Sequence, residues 1–160
     1  MNKLAISLAA LAAAAFGVPA VAHAEPYAGA GYTWYDAEGD DVGGITGRLG
    51  YNFTPHFGGE VEGTFGVDDN DGAELNSALG AYAVGRLPVS SAFDVHGRVG
   101  YNQLDIDRTA GPDIDDGGLS YGVGAGWQAT QNFGIRADWT RTETDDGDAD
   151  GLSLGGTFRF

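Results

Sequence analysis

Residues 151–160 (GLSLGGTFRF) alternate apolar with small or polar side chains and end on an aromatic. Leu152, Leu154, Phe158 and Phe160 fall on one face, and Ser153, Gly155, Thr157 and Arg159 on the other. A period of two marks a β-strand whose faces meet different environments. The same alternation recurs upstream, so the fold must give every strand two unlike surroundings.

Punctuation between the alternating segments is of two kinds. Acidic clusters at 36–41, 68–74, 105–116 and 143–150 hold 18 of the 23 acids. Between them lie acid-free turns at Thr54-Pro55-His56, 88–92 and Thr130-Gln131-Asn132. These seven connections predict eight strands, over 27–35, 43–53, 57–67, 75–87, 93–104, 118–129, 133–142 and 151–160. Connections this short join antiparallel neighbours. Because the two kinds strictly alternate, an up-and-down meander sends all four acidic loops out at one end.

The strand faces differ consistently. Ile45, Leu49, Tyr51 and Phe53 oppose Thr46, Arg48 and Asn52, and Phe57, Val61, Phe65 and Val67 oppose Glu60, Glu62 and Thr64. Phe93, Val95, Val99 and Tyr101 oppose Asp94, His96 and Arg98. Leu119, Tyr121, Val123 and Trp127 oppose Ser120 and Gly122, Gly124 and Gly126, while Phe133, Ile135 and Trp139 oppose Arg136, Asp138 and Thr140. The fourth segment is open: Leu79 and Leu87 share a face with Ala81 and Ala83, and Tyr82 shares one with Arg86.

Volume decides which face points in. An eight-stranded barrel has an interior only wide enough to be filled by side chains, and the bulky Phe, Tyr, Trp and Leu face would overfill it. The small and charged face fits, which turns the apolar face outward toward lipid. A soluble, lipocalin-like barrel would reverse the assignment. Aromatic spacing favours lipid: Phe57 to Phe65 and Phe93 to Tyr101 are each eight residues apart. At about 3.3 Å per residue and a tilt of about 40°, that projects to roughly 20 Å, near the apolar band of about 25 Å between aromatic girdles. Phe53, Phe57, Phe93, Phe133 and Phe160 would form the lower girdle.

The N-terminus reads as a secretory leader, with Lys3, an apolar run over 4–18, and Ala22-His23-Ala24 as a small-x-small cleavage site. Residues 1–24 would be removed and 25–160 form one domain. No later stretch approaches the roughly 20 apolar residues of a membrane helix, and no cysteine is present. Glycine, 28 of 160 residues, is spread through the alternating segments instead of forming linkers. The formal charge of −15 should repel nucleic acid and other polyanions.

With this pattern, the opening Pro26-Tyr27-Ala28-Gly29-Ala30-Gly31-Tyr32, the segment NFGIRADWTR (132–141) and the strand ending on Phe160, the chain resembles the OmpA-like transmembrane domain and opacity-antigen-like superfamily of small bacterial outer-membrane β-barrels. The resemblance implies an all-β, eight-stranded antiparallel up-and-down transmembrane barrel in a Gram-negative outer membrane, with periplasmic termini and external acidic loops. It also implies contact with lipid and lipopolysaccharide, and assembly machinery that reads the C-terminal strand through Phe158 and Phe160. No C-terminal peptidoglycan-binding domain like that of full-length OmpA follows, so a cell-wall tether is not implied.

The candidate site residues are the inward charges Arg48, Glu60, Glu62, Arg86, Asp94, His96, Arg98, Arg136, Asp138 and Arg159. Charges in a narrow lumen are costly unless paired, so a structural ion-pair network that fills the barrel is expected. A low-conductance, porin-like path for small solutes or ions along the small face at 122–126 is the alternative. Asp146, Asp148 and Asp150 match the D-x-D-x-D-G start of an EF-hand loop, but Thr157 stands where its glutamate belongs and no helices flank it. They are candidate ligands for weak divalent-cation capture only. Asp69-Asn70-Asp71-Gly72 reads as a polar hairpin turn. His56 and His96 are the histidines after the leader, and neither belongs to a convincing triad order. No cofactor and no catalysis are expected.

Overall fold

The computed structural model describes residues 25–37, 40–70, 73–108, 114–145 and 147–160. The leader, residues 1–24, and the loop positions 38–39, 71–72, 109–113 and Asp146 lie outside the described residues.

Eight strands form one closed antiparallel barrel in sequence order. They are β1 (Glu25–Ala37), β2 (Asp40–Asn52), β3 (Phe57–Asn70), β4 (Ala73–Pro88), β5 (Phe93–Arg108), β6 (Ile114–Gln128), β7 (Phe133–Thr144) and β8 (Gly147–Arg159). The seam pairs β1 with β8 from Tyr27 opposite Arg159 to Ala37 opposite Ala149, and Phe160 N–H donates to the Pro26 carbonyl at 3.2 Å. Closure leaves no edge with unpaired backbone groups, as a strand protein in lipid requires.

The strands run further toward the acidic end than the alternation predicts. β5 continues to Arg108, β6 begins at Ile114, and β8 begins at Gly147. Asp36, Asp41, Asp105, Asp148 and Asp150 therefore stand on strands, not in loops. Hydrophobic alternation marks only the part of a strand that meets lipid, whereas an antiparallel ladder continues as long as its backbone groups find partners. Register irregularities between Gly43 and Gly44, Phe65 and Asp69, and Leu75 and Ser77 all fall at this end.

The three acid-free turns share one geometry. The Phe57, Phe93 and Phe133 carbonyls each accept two backbone N–H groups, from 53 and 54, 89 and 90, and 129 and 130, at 2.9–3.1 Å. Thr54 and Thr130 hydroxyls accept from the N–H of Phe57 and Phe133, at 2.9 and 3.0 Å. The repeated Thr-x-x-Phe spacing thus closes the turn and plants an aromatic at the membrane boundary.

The face assignments agree with the alternation. Phe57, Phe65 and Val123 are 65, 69 and 62% exposed, while Glu60 and Asp138 are buried at 4 and 2%. On β4, Tyr82 and Val84 point inward and Leu79 and Leu87 outward, which resolves the strand left open by the sequence. The irregularity after Leu75 shifts the alternation by one, so Leu75 and Ala78 both turn inward.

The interior departs from expectation in one respect. Bulky residues do enter it: Tyr27, Tyr35 and Tyr82 are buried, and Tyr35, Val42, Leu75, Ala78, Leu104 and Ala149 form an apolar cluster near the acidic end. Glycine beside a ring makes the room: a Cβ on Gly50 would come within 2.1 Å of the Tyr27 ring, and one on Gly80 within 2.6 Å of the Tyr82 ring.

Candidate functional site

Below the apolar cluster, inward side chains of β2, β3, β5 and β7 meet in the lumen. Arg48 Nε donates to Glu62 Oε2 at 2.8 Å and its Nη1 to Asp138 Oδ2 at 3.0 Å. Arg98 Nη1 donates to the same Glu62 oxygen at 2.9 Å. Arg136 Nη2 donates to Asp138 Oδ1 at 2.9 Å, and its Nη1 to Glu60 Oε1. Three arginines thus interleave with three carboxylates, and every member is buried.

Neutral donors complete the layer. The Tyr27 hydroxyl donates to Glu60, and Arg98 Nε donates to Thr140 Oγ1 at 3.0 Å while its guanidinium lies 4.2 Å from the centre of the Tyr82 ring. A hydroxyl chain lies beside it, with Thr33 to Thr46 at 2.6 Å and Thr46 to Thr64 at 2.8 Å. Multiple hydrogen bonds are what make buried ion pairs tolerable.

Register explains why these charges fit. Arg136 stands between Gly126 and Gly155, and Asp138 between Gly124 and Ser153. A Cβ on Gly124 would come within 2.4 Å of His96 Nε2 and 2.6 Å of Asp138 Oδ1. One on Gly126 would meet Asp94 Oδ2 at 2.8 Å. The space beside Gly124 and Gly126 is therefore taken up by neighbouring charged side chains, whereas Gly122 lies against the backbone and hydroxyl of Trp139 and Thr140.

Toward the short turns lie the other four sequence candidates. His96 is buried, with Nε2 2.7 Å from Asp138 Oδ1 and Nδ1 3.3 Å from Asp94 Oδ1. Arg86 Nη1 is 3.8 Å from Asp94 Oδ1, and its Nη2 donates to the Tyr27 hydroxyl at 3.4 Å. Arg159 lines a vestibule of about 250 Å³ that opens at this end, together with Asn52, Arg86, Asp94 and Gln128. The sequence reading missed Tyr27, Tyr82 and Gln128. Their inward parity was the available signal, obscured for the tyrosines by the expectation that rings face lipid.

Two of the three acidic candidates lie among the described residues. Asp150 accepts Arg141 Nε at 2.8 Å and Nη2 at 2.7 Å on the outer face, Asp148 is exposed, and Asp146 lies outside the described residues. Among the described residues no group of three or more His, Cys, Asp or Glu side chains could hold a metal ion. His56 sits at its turn, Nδ1 3.2 Å from the Arg86 carbonyl.

Comparison with known proteins places this barrel. A family model described as the outer membrane protein beta-barrel domain matches residues 5–160. The fold is similar to the N-terminal β-barrel domain of Pseudomonas aeruginosa OprF, at 16% identity and TM-score 0.68, over 85% of this chain and 97% of that one. It is also similar to Ail, the attachment invasion locus protein of Yersinia pestis, at 18% identity and TM-score 0.63, over 86% and 99%. OprG of Pseudomonas aeruginosa aligns at 13% identity and TM-score 0.60, over 87% and 96%. No curated protein sequence matches the chain significantly. Since the family model spans nearly the whole sequence and the strands close into the matching barrel, the chain belongs to the outer membrane protein β-barrel domain family and resides in the outer membrane.

Proposed function

We propose that the chain is a structural, surface-exposed barrel whose lumen is plugged and which carries no reaction of its own. The observation that carries this reading is the cluster of Arg48, Arg98 and Arg136 with Glu60, Glu62 and Asp138 across the lumen. The apolar cluster around Leu75 and Leu104 supports it as a second closure. Catalysis is disfavoured by His96, whose two ring nitrogens both lie against carboxylates, so that neither is turned toward a hydroxyl nucleophile.

In this reading cleavage after Ala24 releases residues 25–160, both termini face the periplasm, and the acidic strand ends and short loops face outward in lipopolysaccharide. Phe158 and Phe160 present the C-terminal strand to the assembly machinery. Ail has been crystallised with the heparin analogue sucrose octasulfate. The charge of −15, with most acids at one end, supports no comparable affinity for polyanions here.

Single-channel recording of the refolded barrel in a planar bilayer tests the reading. Silence from verified folded protein is the expected result. Reproducible small steps would replace it with the low-conductance channel and turn the lumen charges into selectivity determinants.

A further inference from the structure

The vestibule at the short-turn end has a chemistry that the plugged-barrel reading does not use. Asn52, Arg86, Asp94, Gln128 and Arg159 line it beside the short-turn residues, and its volume of about 250 Å³ is large enough for a small polar group and too small for a polymer. Two of its side chains have unspent donors. Gln128 Nε2 is buried without a hydrogen-bond partner, the one such side-chain atom among the described residues. The Arg159 guanidinium makes no hydrogen bond or close ion pair to a described residue and meets Asp94 only at longer range. A buried, unpaired amide donor is costly, and a guanidinium presents a fork of donors matched to an oxyanion.

The carboxylates nearby do not satisfy these donors. Asp94 is turned toward His96, at 3.3 Å, and Glu25 lies at the exposed edge of the pocket. Arg86 lines the same wall and keeps only long contacts to Asp94 and Tyr27, at 3.8 and 3.4 Å. We propose that this vestibule binds a small oxyanion, a phosphate or carboxylate group, through the Arg159 and Arg86 guanidinium groups and the Gln128 side-chain amide. The shared chemistry fits a free anion or the phosphate of a lipid headgroup bent into the barrel mouth.

The test is NMR titration of the isotopically labelled, refolded barrel in a zwitterionic detergent with inorganic phosphate, against sodium chloride of equal ionic strength. A saturable shift of the Gln128 side-chain amide and Arg159 Nε–H signals is expected with phosphate alone. Arg159→Gln should weaken the apparent affinity by about tenfold or more, as loss of a charge-assisted, bidentate contact implies. Gln128→Leu should also weaken it, and Arg141→Gln, at the opposite end, should leave it unchanged. Should Arg159→Gln fail to fold, Gln128→Leu carries the test. A second arm compares nanodiscs of phosphatidylglycerol with nanodiscs of uncharged glycolipid, without added phosphate. Displacement of the Gln128 signal confined to the phospholipid discs would assign the site to a headgroup, whereas saturation by phosphate in detergent assigns it to a free anion. No specific shift in either arm, or one equalled by chloride, overturns the proposal.

Discussion

Glu62 shows at the scale of one residue why the lumen charges behave as a unit. It accepts from both Arg48 and Arg98, so removing its charge leaves two buried guanidinium groups short of a partner. Breaking a buried ion pair by losing one member costs about 3–5 kcal/mol. Glu62→Gln is expected to lower the unfolding free energy by about 3 kcal/mol, read from the denaturant midpoint in detergent. Arg141 and Asp150 form an equally short pair on the outer surface, where solvent and salt screen it. Arg141→Ala should leave the same midpoint within error. If the two substitutions have equal effects, burial is not what sets the strength of these pairs.

At the scale of elements, β5, β6 and β7 show how small and long side chains share a wall. His96 is opposite Gly124, and Gly124 is opposite Asp138, so the missing side chain on β6 is what lets the histidine and the carboxylate meet. Gly124→Ala would push its Cβ into both groups, and overpacking of this kind typically costs about 1–3 kcal/mol. Calorimetry or denaturant unfolding should show a loss in that range, and an unchanged stability would mean the lumen is looser than its contacts indicate. The facing of β4 belongs to this scale too. Its Leu, Ala and Tyr residues supply no clear alternation, and a register shift after Leu75 changes which parity faces in. Only pairing with β3 and β5 settles it.

For the whole molecule, the proposed plugged barrel has two closures in series. The apolar cluster near the acidic end and the ion-pair layer beneath it share no residue, although β2 and β5 contribute to both. Leu104, fully buried in the upper closure, should lose about 2–5 kcal/mol of stability on Leu104→Ala. In the proposed plugged barrel the same variant should stay silent in a planar bilayer, because the charged layer would still close the lumen. Conduction by this single variant would show that the upper closure alone sealed the barrel.

Much of the architecture could be read from the chain alone. Alternation named the lipid-facing residues, and the alternating acidic and acid-free connections gave eight strands and their up-and-down order, because both depend on neighbours close in sequence. The inward charges were named for the same reason: parity within a strand is a local property. Tertiary structure alone decided which of them meet. Arg136 and Glu60 are 76 residues apart and Arg48 and Asp138 are 90 apart, brought together by the stagger of eight strands around a closed barrel. It also decided that three tyrosines turn inward, that charged side chains take up the space beside Gly124 and Gly126, and that Gln128 and Arg159 line the same pocket. Each of these depends on what stands across the lumen, and no local pattern records that.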